Sequence, residues 1–187
     1  MSEHDKSVAQ LQRAKYLFLD RDGVLNRRIV GDYVRHPNQV DWLPGVLEAL
    51  PSLTQHFERT FVVTNQQGVG RNLMTLADLF AVHARMLRAI EAAGARVDGV
   101  YAATSLAASA APARKPGPAM GMFAQAEFPE VDFAASILVG DSPSDMDFGR
   151  GLGMLACVGV GTPVPTGADF KFVDLPAFSS FLLQTGD

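Results

Sequence analysis

The 187-residue chain has one cysteine and one tryptophan, and of its 16 basic residues only Lys6, Lys15, Lys115 and Lys171 are lysine. Each scarcity excludes something. Cys157 alone cannot form an internal disulfide, nor can it build a cysteine zinc site unaided. Sixteen basic residues against 20 acidic ones leave a net charge of −4. No basic excess is therefore on offer to duplex nucleic acid, which is bound through clustered Lys and Arg. Met1 to Ala14 is polar and lacks the apolar run of a signal peptide or a membrane span. It is expected as a flexible segment (1–14) ahead of a single domain over 15–187, in the cytoplasm. Hydrophobic residues make up 48% of the chain, enough for one full core at a length that suits one domain better than two.

Hydrophobic periodicity alternates between strands and helices. Tyr16 to Leu19 is a short apolar run ending in Asp20, and Arg59 to Thr64 ends in Thr64-Asn65. Both read as buried parallel strands with polar residues at their C-terminal ends. Gly45 to His56 carries Val46, Leu47, Leu50 and Leu53 at helical spacing, and Pro51 is expected to kink or end that helix. Thr75 to Ala93 is a helix opened by Thr75 and Asp78, with a stripe of Leu79, Val82, Met86 and Ile90. Val97 to Ala103 is a third strand, and Ala102 to Ala113 an Ala/Ser/Pro loop. Further on come a helix at Pro118 to Phe128, a strand at Ser136 to Val139, a helix at Pro143 to Leu152 and a strand at Met154 to Val160. A weak strand (Lys171 to Val173) and a helix (Pro176 to Leu183) close the chain. This alternation predicts an α/β fold, a doubly wound parallel sheet with helices on both faces and its site at the strand C-termini.

Four polar clusters fall at those ends. Asp20-Arg21-Asp22-Gly23 places two carboxylates at i and i+2 after a buried strand, suited to a nucleophile and an acid or base. The same pattern also serves as a solvated loop. Thr64-Asn65-Gln66-Gln67-Gly68 offers a hydroxyl and amides that donate to phosphate oxygens, or forms an ordinary turn. Arg114-Lys115 precedes a helix start, as a solvated basic loop also would. Val139-Gly140-Asp141-Ser142-Pro143-Ser144-Asp145 ends a strand in an acid suited to a hard cation, with Asp145 placed to cap a helix or brace the loop. Each is weak alone, and the four in this order are specific.

LFLDRDGVLN, VVTNQQGVGR, RKPGPAM and VGDSPSDMDFGRGLGM resemble the four motifs of the haloacid dehalogenase superfamily of phosphohydrolases. The first three are especially similar to the subgroup of heptose-bisphosphate and histidinol-phosphate phosphatases. The resemblance runs from Tyr16 to about Val160. It implies that Asp20 is the nucleophile forming an aspartyl phosphate and Asp22 the general acid and base. Thr64 would hold the transferring phosphoryl group and Lys115 would neutralise it. Mg²⁺ would be bound by the Asp20 carboxylate, the Asp22 backbone carbonyl and Asp141. Asn65 and Arg114 would bind substrate.

Charge counting points the same way. A phosphomonoester brings about two negative charges, and Asp20, Asp22 and Asp141 bring three more. Mg²⁺, Lys115 and Arg114 return four, and a proton on Asp22 completes neutrality; that proton is also what a leaving alkoxide needs.

In this superfamily large caps are inserted after the first motif or between the second and third. The chain has too few residues at either place, so a capless enzyme with a short flap at about 26–42 is expected. The flap carries Arg27, Arg28 and Arg35, which favour a substrate with a second phosphate. With the subgroup that the chain resembles, this implies removal of the 7-phosphate of D-glycero-D-manno-heptose 1,7-bisphosphate, in nucleotide-activated heptose biosynthesis, as the expected reaction. Histidinol phosphate is the alternative within enzymes, and a non-catalytic phosphate or nucleic-acid-end binding module the alternative outside them. Neither a nucleic-acid nor a membrane partner is expected, and a monomer is favoured.

Two departures from the subgroup stand out. Ala102 to Ala113 lacks the Cys and His that hold zinc in many relatives, so no structural zinc is expected and the loop should be held by packing alone. Asn72 stands where relatives often have Gly. His83 is read as a packing or surface residue and Cys157 as buried and inert.

Overall fold

The computed structural model describes residues 8–109 and 111–184. Six strands form one all-parallel sheet: β1 (Tyr16–Leu19), β2 (Arg59–Asn65), β3 (Gly99–Ala103), β4 (Ser136–Gly140), β5 (Ala156–Val160) and β6 (Phe170–Phe172). Five helices connect or follow them: α1 (Val46–His56), α2 (Leu76–Ala92), α3 (Ala119–Glu127), α4 (Pro143–Gly151) and α5 (Leu175–Leu182). The order across the sheet is β3-β2-β1-β4-β5-β6, the doubly wound arrangement in which the chain reverses direction between β1 and β4.

Strand β1 lies between β2 and β4, with Leu19 level with Val62 and Val139. Burial on both faces explains why its sequence is continuously apolar instead of alternating. Successive side chains still divide between two cores. Leu17 and Leu19 join Val62, Ile137 and Val139 under α1, α2 and α5, where Leu50, Val82, Met86 and Phe178 close the layer. Phe18, Phe61, Val63 and Leu138 face the other way, against Met120, Ala124 and Phe148 of α3 and α4.

Three expectations need correction. Pro51 does not end its helix: α1 runs through it to His56, because Leu50 and Leu53 are fully buried on either side and hold the turn in place. The ordered body does not begin at residue 15. Residues 8–11 are helical, and Leu11 and Ala14 are packed into the core under α1 and α5; residues 1–7 of the expected flexible segment lie outside the described residues. Nor is the loop after β3 held by packing alone. Thr104 O accepts from Gly70 N–H, and Ala107 N–H donates to Gln67 Oε1, tying it to the segment after β2. Asn72 adopts φ +58°, which Asn tolerates better than other non-Gly residues, so the backbone there follows the course that a glycine would give.

Between β1 and α1 the flap is closed at its base by pairing of Asn26 with Trp42 and by Arg27 N–H donating to Asp41 O. Tyr33 lays its ring on Gly68, where even a Cβ would come within 3.0 Å of it. Among the described residues no helix is long and apolar enough to cross a membrane.

Candidate active site

Open α/β sheets bind ligands beyond the strand C-termini where the strand order reverses. Here that point lies between β1 and β4, and the residues that follow these strands are Asp20 and Asp141. A cavity of about 420 Å³ opens over this edge, lined by Asp20, Asp22, Thr64, Asn65, Arg114 and Lys115 together with flap residues. All seven residues singled out in the sequence therefore converge, with Asp141 reaching the cluster through its carboxylate.

Lys115 is the hub. Its ammonium donates to Asp20 Oδ1 at 2.8 Å and to Val63 O at 2.7 Å, and lies 2.6 Å from Asp145 Oδ1. Burial works against its charge, but Asp145 and Asp20 outweigh that and raise its pKa. Burial pushes Asp20 up to about 7; Lys115 opposes the shift, while Asp145 and Asp141 add to it. Asp141 is likewise pushed up to about 6, first by burial, with Arg28 opposing. Three crowded carboxylates held against one ammonium lack positive charge, and a cation is what the cluster needs.

Asp145 both caps and braces. Its Oδ2 accepts from the Ser142 N–H and hydroxyl at the start of α4, while Oδ1 faces Lys115. Gly140 makes this possible, since a Cβ there would lie 2.3 Å from the Asp145 Cβ. Asn65 was expected to contact substrate. It lines the cavity, and its carboxamide also clasps the Lys115 backbone, Oδ1 accepting from the N–H at 2.9 Å and Nδ2 donating to the carbonyl at 3.2 Å, which positions Lys115. Arg114 stands in the wall of the cavity, where its Nη1 is buried with no hydrogen-bond partner among the described residues.

Asp22 has a buried partner that the charge count left out. Arg21 grips its carboxylate with Nε and Nη2, at 3.2 Å and 2.8 Å, while Asn26 Nδ2 and Gln66 Nε2 donate at 2.9 Å and 2.7 Å. Burial would raise its pKa, but Arg21 and these hydrogen bonds win and lower it. Asp22 is thus a carboxylate before a phosphomonoester binds, held by Arg21, whose charge the count left out. Gln66 also donates to Thr64 Oγ1 at 2.8 Å, which orients that hydroxyl and leaves its own proton free for an acceptor in the cavity.

The oxygen donors suit a hard cation such as Mg²⁺. Carboxylate atoms of Asp20, Asp141 and Asp145 lie within 4.8 Å of one another. A cationic group already bridges two of the ligand positions implied by the resemblance: Arg28 Nη2 donates to Asp141 Oδ1 at 2.7 Å and to the Asp22 carbonyl at 3.3 Å. The atoms are therefore aimed at positive charge. Gly23, at φ +96°, allows this approach, because a Cβ there would fall 1.8 Å from Asp141 Oδ2.

The flap arginines do not act together. Arg27 pairs with Asp41 and Arg35 with Asp32, both within the flap, and only Arg28 reaches the cluster. Arg71, not singled out for substrate from the sequence, lines the cavity instead and has no ion-pair partner among the described residues. Its place in VVTNQQGVGR, just past the second strand end, was the available signal.

A buried carboxylate beside a lysine, over a cation-seeking cluster at the reversal point of this strand order, is an arrangement suited to a phosphohydrolase. A family model described as HAD-hydrolase-like matches residues 112–176. The chain is 38% identical to a D-glycero-α-D-manno-heptose-1,7-bisphosphate 7-phosphatase of Mycobacterium tuberculosis, over 87% of this chain and 88% of the relative. It is 35% identical to the β-specific counterpart of Rhodopseudomonas palustris, over 79% and 84%. The D,D-heptose 1,7-bisphosphate phosphatase of Bordetella bronchiseptica, solved with magnesium and phosphate, superposes with a TM-score of 0.81 at 31% identity, covering 91% of this chain and 98% of that one. The chain belongs to the haloacid dehalogenase-like hydrolases and, within them, to the family of D-glycero-D-manno-heptose-1,7-bisphosphate 7-phosphatases.

Proposed function

We propose that the protein is a Mg²⁺-dependent phosphatase that removes the 7-phosphate of D-glycero-D-manno-heptose 1,7-bisphosphate, as a cytoplasmic monomer acting on a small phosphosugar and not on nucleic acid. The observation that carries the choice of a doubly phosphorylated sugar is the pair Arg71 and Arg114. Both line the cavity without an ion-pair partner among the described residues, where Arg114 Nη1 is also buried with no hydrogen-bond partner. An unpaired buried guanidinium nitrogen needs an acceptor, which a phosphate oxygen supplies, and with Arg114 serving the phosphoryl group at Asp20, Arg71 is left for a second phosphate. A volume of about 420 Å³ suits a sugar bisphosphate.

In this reading an Asp20 carboxylate oxygen attacks phosphorus, the bond to the sugar oxygen breaks, and an aspartyl phosphate forms. Lys115 and Arg114 take up charge on the phosphoryl oxygens, and the Thr64 hydroxyl donates to one of them. Asp20, Asp141 and the Asp22 carbonyl would hold Mg²⁺, which would supply further charge neutralisation there. Asp22 is an anion before substrate arrives, and a phosphate dianion beside it raises its proton affinity. It therefore carries a proton in the complex and delivers it to the departing alkoxide. Restored to a carboxylate, it takes a proton from the water that attacks the aspartyl phosphate.

Histidinol phosphate fits less well, since its ammonium would face Arg71 and Arg114, while the nearby Asp32 is already engaged by Arg35. A non-catalytic module has no use for a buried nucleophile gripped by a lysine. Phosphate release from heptose bisphosphate, histidinol phosphate and a DNA 3′-phosphate, with and without Mg²⁺, tests the reading. The bisphosphate should lead in kcat/KM by roughly 100-fold or more, the discrimination available when an anion-binding group would otherwise be left unpaired. A lead for histidinol phosphate, or DNA-end binding without turnover, would overturn it.

A further inference from the structure

Arg21 is completely buried, yet it touches neither the cavity nor the cation cluster. Its guanidinium is used at both ends. Nε and Nη2 hold Asp22, and Nη1 lies 3.1 Å from Nε2 of His83, a residue of α2 on the far side of the sheet edge. The surroundings are apolar: Val62, Met86, Ile90 and Val100 line the small cavity around this contact. A guanidinium has donors only, so His83 must accept. Its Nε2 is therefore unprotonated and its ring proton sits on Nδ1, the tautomer that free imidazole favours less.

We infer that His83 is a positioning residue for the general acid and base: its Nε2 lone pair fixes the Arg21 fork, and the fork sets the plane in which Asp22 presents its carboxylate. The inference rests on the reading of Asp22 as acid and base. Supporting it, burial and the Arg21 charge depress the His83 pKa to about 4, so the ring stays neutral and able to accept. Without His83, Nη1 would lie in an apolar pocket with no acceptor, and the guanidinium would be free to rotate away from Asp22. The helix stripe that holds His83 in place, Leu79 and Met86 one turn to either side, is buried. This gives the first strand end a rigid anchor more than sixty residues away in sequence.

Three variants and one measurement on the unaltered protein test this. His83→Leu keeps the volume and removes the acceptor; His83→Gln keeps an acceptor near the Nε2 position; Asp22→Asn checks the underlying reading. His83→Leu is expected to lower kcat on the bisphosphate about 10- to 100-fold, the range for outer hydrogen-bond partners, with KM unchanged because His83 does not line the substrate cavity. His83→Gln should retain kcat to within about threefold. Full kcat in His83→Leu, or equal loss in both variants, would overturn the inference. If Asp22→Asn retains turnover, the reading of Asp22 fails instead. Should His83→Leu not fold, ¹⁵N spectra of the imidazole in the unaltered protein decide: protonated Nδ1 with bare Nε2 supports the inference, and a proton on Nε2 refutes it.

Discussion

Lys115 Nζ lies 2.8 Å from Asp20 Oδ1, and both side chains are almost wholly buried. The pair is neutral only if the other carboxylates are ignored, since Asp145 and Asp141 crowd the same cluster. Replacing Asp20 with Asn removes the nucleophile but leaves Lys115 paired to Asp145. Phosphate release should fall by about 10³-fold or more, the scale for loss of a covalent nucleophile. The melting temperature should be unchanged or higher, because a carboxylate crowded by Asp145 and Asp141 is lost. Steady-state assays with a thermal melt check both, and substantial residual activity would remove Asp20 from its role.

Lys115→Met has the opposite consequence for stability. It leaves Asp20 and Asp145 facing each other without the ammonium, and breaking a buried pair from one side typically costs about 3–5 kcal/mol. The variant should unfold at lower denaturant than the Asp20→Asn protein, and Mg²⁺ should recover part of the loss by supplying positive charge. Urea titrations with and without Mg²⁺ measure both effects; equal stability of the two variants would contradict the hub role of Lys115.

The polar strand ends were readable because a buried parallel strand has no solvent face. An abrupt switch from Leu19 to Asp20, or from Val139 to Gly140-Asp141, therefore marks the sheet edge. The doubly wound parallel sheet followed from the same alternation, but its strand order is known only from the fold. What escaped were side-chain partnerships across long separations. Nothing near His83 in the chain points to Arg21, and its neighbours Val82 and Met86 make it look like packing. Arg21 has no place in the charge count because nothing in the sequence shows that the fold buries it against Asp22. The flap arginines looked alike in sequence, but Asp41 and Asp32 claim two of them and leave one. Pro51 does not end α1, because a local rule about a missing N–H is outweighed by the burial of Leu50 and Leu53.

Gly23 faces Asp141 so closely that an added methyl would overlap Oδ2 at 1.8 Å, and its φ of +96° disfavours any side chain. Gly23→Ala should therefore displace Asp141, leave the core intact, and reduce activity about 100-fold, as a misplacement of about 1 Å can do. Raising Mg²⁺ should recover part of the rate. A variant with the normal Mg²⁺ dependence would show that Asp141 is not a ligand.

Arg28 and a metal ion compete for the Asp141 carboxylate and the Asp22 carbonyl. The arginine is half exposed, so the contact is worth only the modest energy of a partly solvated ion pair. Arg28→Ala should bind Mg²⁺ about two- to fivefold more tightly in the absence of substrate, with a weaker dependence on added salt. Isothermal titration calorimetry measures the affinity, and fluorescence of Trp42, the only tryptophan, reports on the base of the flap. Unchanged affinity would mean that Arg28 leaves those oxygens without cost.

His83 also links stability to pH. Its folded-state pKa of about 4 lies below the ordinary value of 6.5, mainly through burial and then through Arg21. Above pH 6.5 the ring is neutral in both the folded and unfolded chains, and the linkage is silent. As the pH falls from 6.5 towards 4 the unfolded chain takes up a proton that the folded protein refuses, so stability is lost across that window and levels off below it. The full difference corresponds to roughly 3 kcal/mol. His83→Gln has no such proton to bind, so its loss of stability between pH 6.5 and 4 should be shallower by about that amount. Parallel urea unfolding of the two proteins across this range measures the difference, and coincident curves would mean that the imidazole takes up a proton in the folded protein and Arg21 has moved away.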